Sequence, residues 1–154
     1  MGCVAPNGAN IPQFTGALRA GVSGVRVLDP PPLRTKVRVA GLCNGFEPTS
    51  VLSPADCKRF PRLVPLALAA CREALEQAGL GPTSGMDPRS VGLVLGTGAG
   101  GIDFTLDQAM TAYEPTAEGA RPRNPSLWTI TNATHGNLAG ELSIQLGLKG
   151  PSHC

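Results

Sequence analysis

The chain has 154 residues, enough for one domain with a real core, and 13 Lys and Arg against 11 Asp and Glu leave a formal charge of +2. The basic residues are scattered and form no stripe, which argues against nucleic acid as a partner. The longest nearly apolar run, Leu63 to Cys71, is interrupted by Pro65 and flanked by Arg62 and Arg72, far short of a bilayer span, so the expectation is a soluble, cytoplasmic protein without a membrane partner.

Met1-Gly2-Cys3 is suggestive of acylation, but Pro6 stands where the myristoylation pattern wants Ser or Thr. No charged-then-apolar leader precedes a small-residue cleavage site. Pro6-Asn7-Gly8 reads as a turn. Asn10 is placed to cap a helix carrying Ile11, Phe14 and Leu18 at helical spacing, with Gly21 ending it. Asp29-Pro30-Pro31-Pro32 reads as a stiff extended connector. Val37, Val39 and Gly41 alternate with Lys36, Arg38 and Ala40, which predicts a short strand exposed on one side.

Ser53-Pro54-Ala55-Asp56 combines a capping hydroxyl, a first-turn proline and an early carboxylate, a helix start. The strongest helix follows, with Val64, Ala67, Leu68, Cys71, Ala74, Leu75 and Ala78 in one stripe and Gly79 as its left-handed stop. Val91-Gly92-Leu93-Val94-Leu95 is apolar without alternation, the pattern of a central parallel strand covered on both faces. Gly96 to Gly101 then turns the chain into a helix from about Asp103. Pro115 to Pro125 reads as a surface loop. A last helix is expected from near Asn132, with Leu138, Leu142 and Leu146 on one side. Ala133, Gly136, Gly140 and Ser143 form a small-residue side that another backbone would approach closely. Gly147 ends it, and Leu148-Lys149-Gly150-Pro151 leads to a further element.

The five cysteines, Cys3, Cys43, Cys57, Cys71 and Cys154, are odd in number and widely spaced, with no Cys-x-x-Cys and no histidines at metal spacing. Reduced thiols are expected, with neither a disulfide framework nor a metal site, and Cys71 falls on the apolar helix face, where it serves as a small hydrophobe.

Gly96, Gly98 and Gly101 satisfy G-x-G-x-x-G after a strand and before a helix, the context of a dinucleotide-binding turn. An NAD(P)-binding oxidoreductase is therefore one reading. Such a fold wants an acidic residue at the end of a second strand about twenty residues on, and that distance lands on Glu118 inside the proline-rich loop. Glycines that merely permit a tight strand-to-helix turn explain the motif equally well.

Taken in order, Gly2-Cys3-Val4-Ala5-Pro6-Asn7-Gly8, Leu18 to Val25, Val39-Ala40-Gly41, Glu73 to Leu80, Val91 to Gly101, Asn132 and Leu146 to Ser152 resemble the β-ketoacyl-acyl-carrier-protein synthases over essentially the whole chain. Ala5 departs from the threonine or serine that many relatives carry before the proline. The resemblance implies an α/β, thiolase-like fold, of which these residues are an incomplete N-terminal half with a helix-flanked sheet. It implies an acyltransferase of fatty-acid or polyketide synthesis, needing no cofactor, served by an acyl carrier protein thioester and homodimeric in its full-length form. A cysteine at a helix start takes the acyl group, and two histidines from the second half assist a decarboxylative condensation.

In that family the nucleophile follows the Gly-Pro-Ser turn in an Ala-Cys pair several residues past the serine. Here Gly150-Pro151-Ser152 is followed by His153 and Cys154, so Cys154 is early by register and reads as a strand residue. His135 and His153 match neither catalytic histidine. The expected catalytic, cofactor-binding and metal residues within the chain are therefore none. The first strand and the nucleophile region are expected to be missing, leaving one partial domain over residues 1–154 that is silent on its own, with exposed sheet edges. Phe104-Thr105-Leu106 and the Pro115 to Pro125 loop correspond to regions near the acyl pocket and the partner subunit. A second reading is a non-catalytic dimerisation or scaffold remnant of the same fold.

Overall fold

The computed structural model describes residues 1–29, 36–81, 84–114 and 123–154. These fall into two compact units, Met1–Glu47 with Ala69–Ser84, and Pro48–Leu68 with Gly85–Cys154. The expected connector at Pro30-Pro31-Pro32 and most of the Pro115 to Pro125 loop lie outside the described residues.

In the first unit the turn at Pro6-Asn7 is closed by reciprocal backbone bonds between Ala5 and Gly8, at 2.8 and 3.1 Å. Helix α1 (Ile11–Arg19) begins as its sequence demands: Asn10 Oδ1 accepts the Gln13 N–H at 2.9 Å, while Gln13 Oε1 accepts the Ala9 N–H at 2.9 Å. Two N-terminal donors are thus satisfied by one reciprocal pair. Strands β1 (Val25–Val27) and β2 (Val39–Gly41) pair antiparallel, with Val25 opposite Gly41 and Val27 opposite Val39. The alternation that marks β2 holds, but Val39 faces outward and the smaller Ala40 is the more covered residue.

Helix α2 (Pro54–Arg59) starts at Ser53, whose Oγ accepts the Asp56 N–H at 3.1 Å and donates to Asp56 Oδ2 at 2.7 Å. Helix α3 (Leu63–Gln77) supplies residues to both units and carries Pro65 in its first turn, where no N–H is missed. It ends with Gly79 at φ +69, the Gly79 N–H donated to Glu76 O and the Leu80 N–H to Leu75 O. That double bond is the left-handed stop anticipated for this glycine.

The second unit holds α2, the start of α3, strand β3 (Leu93–Val94), helices α4 (Ile102–Tyr113), α5 (Thr129–Ala133) and α6 (His135–Leu146), and strand β4 (Ser152–His153). Strands β3 and β4 run parallel, Leu93 opposite Ser152 and Val94 opposite His153. Its buried apolar side chains include Leu52, Phe60, Val64, Leu68, Leu93, Leu138, Ala139, Leu142 and Leu148. Helix α6 ends at Gly147, φ +69, with the same pair of carbonyl bonds as α3.

Two expectations change here. The strand predicted over Val91 to Leu95 is a two-residue strand covered on one face: Leu93 is buried, whereas Val94 is 83% exposed. Just before it, Gly92 and Gly150 let the two backbones almost touch, the Gly150 N–H donating to Val91 O at 3.2 Å. A Cβ on Gly92 would lie 2.6 Å from Pro151 O, and Pro151 has no N–H to donate. Among the described residues no backbone of this chain approaches the small-residue side of the last helix at Gly136 or Gly140, since an added Cβ at either meets none of them within 4 Å. The covered stripe is instead Leu138, Ala139, Leu142 and Ser143.

Candidate functional site

The turn that joins β3 to α4 is the feature most suggestive of chemistry. Added side chains at Gly96 and Gly98 would meet none of the described residues within 4 Å. Gly100, at φ +56, donates its N–H to Thr97 Oγ1 at 3.1 Å, and a Cβ there would lie 2.5 Å from His135 Cδ2. At Gly101 a Cβ would lie 2.5 Å from Asn132 O and 3.1 Å from Pro61 Cγ. The third glycine of the motif is therefore required by packing against this chain's own backbone. The Gly101 carbonyl accepts both the N–H and the hydroxyl of Thr105, each at 3.0 Å.

The opening turn of α4 carries Asp103, and its Oδ2 accepts the Arg62 N–H at 3.2 Å, just before α3. One carboxylate thereby faces two helix N-termini. An anion already supplied by the protein weakens the case for a pyrophosphate at the same place. Glu118, the acidic residue at dinucleotide spacing, lies outside the described residues.

Behind the turn sits a cluster with no local signature in the sequence. Arg59, the last residue of α2, lies over the Trp128 ring at 4.0 Å and the Phe60 ring at 4.6 Å, measured to the centroids. Its Nη2 meets Glu141 Oε1 at 2.8 Å. The buried amide of Asn132 donates to the Arg59 carbonyl at 2.6 Å. Arg59 Nε is buried without a hydrogen-bond partner among the described residues. Glu141 is 82 positions from Arg59, so periodicity within one element could not have linked them.

Of the residues weighed as nucleophile or base, His135 opens α6 against Gly100, and His153 lies in β4, its carbonyl accepting the Leu95 N–H at 2.9 Å. Cys154 is exposed directly after β4, and no hydrogen bond joins its thiol to either imidazole among the described residues. Two other cysteines are held as thiols. Burial pushes the Cys71 thiol up, and burial, the Glu73 carboxylate and Cys43 push Cys3 up. Among the described residues no three His, Cys, Asp or Glu groups gather as a metal site. No helix there is long and apolar enough to cross a membrane.

Comparison with known proteins places this geometry. The family "Beta-ketoacyl synthase, N-terminal domain" matches residues 1–154. The chain is 29% identical to a 3-oxoacyl-[acyl-carrier-protein] synthase 2 of Vibrio cholerae over 153 residues, covering 99% of this chain and 36% of that protein. It is likewise 29% identical to the tetracenomycin polyketide synthase ketoacyl synthase beta subunit of Streptomyces glaucescens, with 99% and 36% covered. Among solved structures, the ishigamide ketosynthase/chain length factor superposes with a TM-score of 0.72 at 27% identity, over 99% of this chain and 41% of that one. The chain thus spans about a third of the length of the curated relatives it matches. From the strand-to-helix glycine turn to the Gly150-Pro151-Ser152 segment beside β3, it belongs to the β-ketoacyl synthase N-terminal domain family and has that family's thiolase-like fold.

Proposed function

We propose that residues 1–154 are one partial domain, the N-terminal portion of an acyltransferase that elongates an acyl chain by decarboxylative Claisen condensation. The observation that carries this reading is the superposition on a ketosynthase/chain length factor over 99% of the chain. In the reaction, a cysteine thiolate attacks the acyl thioester of an acyl carrier protein, and the carrier's thiol leaves. A malonyl thioester then loses carbon dioxide, and the resulting carbanion attacks the enzyme-bound acyl carbonyl. The carbon-carbon bond forms as the cysteine thiolate is expelled.

The groups that perform these steps are supplied outside this stretch. Cys154 follows the Gly150-Pro151-Ser152 turn too soon to match the family's nucleophile, and neither His135 nor His153 stands in a catalytic register. The contribution of residues 1–154 is then structural: the β3–β4 pairing, the Asn132–Arg59 lock and the α4 surface. Ile102, Leu106, Met110 and Tyr113 are exposed along α4 at helical spacing, an apolar stripe suited to the partner subunit of a homodimer.

The test is to assay the full-length protein for carbon dioxide release from malonyl carrier protein and for elongation of an acyl carrier protein. Both activities are expected in the full-length protein and neither in residues 1–154. A full-length protein that dimerises but performs neither would favour the scaffold reading. Saturable binding of a nicotinamide dinucleotide, abolished by Gly98→Val, would favour the oxidoreductase reading instead.

A further inference from the structure

We propose that a groove at the β1–β2 hairpin binds a small amphipathic carboxylate, its head on Arg26 and its tail against Pro6, Leu28 and Leu42. The groove holds about 450 Å3 and is lined by these residues together with Val27, Ala40, Asn44 and Gly45. That size is within the range that encloses small ligands.

Its shape follows from the pairing register. Side chains alternate across a strand, so Arg26 and Leu28 share a face with Arg38, Ala40 and Leu42, of which Ala40 and Leu42 line the groove. Ala40 stands directly opposite Arg26, and its short side chain leaves a hollow beside the guanidinium. The ladder continues past the named strands, the Leu28 N–H donated to Arg38 O at 2.8 Å, which holds Leu28 in that face.

One wall is fixed by glycines. A Cβ at Gly24 would lie 2.8 Å from Pro6 Cβ, and one at Gly41 would lie 3.0 Å from Pro6 Cγ, so the proline ring is seated on both arms of the hairpin. The other wall is the turn carrying Asn44 and Gly45, closed by the Phe46 N–H on Cys43 O at 3.2 Å and anchored by the buried Phe46 ring. The groove is thus walled on two sides, its lining residues exposed or half-buried.

Arg26 is the one charged residue among the described residues lining the groove, and none of these is a carboxylate that would neutralise the guanidinium. A planar guanidinium favours a carboxylate through two parallel hydrogen bonds, and the apolar wall favours a short aliphatic chain attached to it. Asn44 offers a further amide at the rim.

The experiment titrates the full-length protein with hexanoate by calorimetry, with hexan-1-ol as the uncharged control. Saturable binding on the order of 1 mM is expected for hexanoate and none for the alcohol. Arg26→Gln, and Ala40→Leu, which fills the hollow, should each weaken binding by about tenfold or more. Hexanoate affinity unchanged in Arg26→Gln, equal affinity for the alcohol, or no saturable binding would each overturn the proposal. Binding that survives both substitutions belongs to another pocket and counts against this one.

Discussion

The side-chain amide of Asn132 and the backbone carbonyl of Arg59 meet at 2.6 Å, with Asn132 buried in α5 and Arg59 closing α2. A part-buried carbonyl stripped of its donor keeps part of its desolvation cost, at most about 1–3 kcal/mol. Asn132→Ala should therefore lower stability by up to that amount in urea unfolding. Asn132→Asp should be worse at neutral pH, where a carboxylate would face a carbonyl, and should recover in part as acid protonates it. Equal midpoints for wild type and Asn132→Ala would show the bond to be dispensable.

Arg59 itself combines a charge-assisted bond to Glu141 with stacking on Trp128 and Phe60. Lysine retains the charge but loses the planar contact and the fork. Arg59→Lys is expected to cost more than Glu141→Gln, because the ring contacts survive in the latter. A double-mutant cycle pairing Arg59→Lys with Glu141→Gln should show a coupling of about 0.5–3 kcal/mol. Strict additivity would mean that the ion pair contributes nothing beyond its separate parts.

In the first unit, Glu73 gathers the N-terminal segment onto α3. Its Oε2 accepts the Cys3 N–H at 2.9 Å, and its Oε1 accepts the Ile11 N–H at 2.8 Å. Glu73→Ala should free both donors and cost about 2–4 kcal/mol, while Glu73→Gln, with one acceptor oxygen left, should cost less. Gly2→Ala is expected to be at least as damaging, since its Cβ would fall 1.8 Å from Ala70 O and α3 would have to move. Hydrogen exchange at the Ile11 amide would localise the effect; unchanged protection there in Glu73→Ala would refute it.

What could be read ahead of the structure was local. The Asn10 and Ser53 caps and the Gly79 and Gly147 stops each depend on a few neighbouring residues, so their chemistry is visible in a short window. Strand β1 depends on Val25, Arg26 and Val27 finding Val39 to Gly41, and three residues announce no such pairing. The exposure of Val94 depends on what else covers the sheet, which an apolar run does not encode. At the glycine turn, the motif identifies a bend but not its occupants: His135 beside Gly100 and Asn132 behind Gly101 come from α6 and α5. The Arg59 cluster escaped for the same reason, joining α2, α5 and α6 through residues that look ordinary in their own windows.

The Cys71 thiol gives a pH-dependence with a definite sign. Burial raises its pKa in the folded protein, so folding favours the neutral form. Its contribution is fully present below the ordinary thiol pKa of about 8.5, where both states are protonated. As pH rises past that value the unfolded chain releases the proton first, and stability falls until the folded thiol also ionises. Urea midpoints measured from pH 7 to pH 10 should therefore decline, and Cys71→Ala should flatten part of that decline while lowering stability at pH 7 through lost packing. Cys3, raised by burial and by Glu73, acts in the same direction, so the double substitution should flatten the profile further. An identical slope in wild type and Cys71→Ala would mean that the thiol ionises as readily in the folded protein as in the unfolded chain.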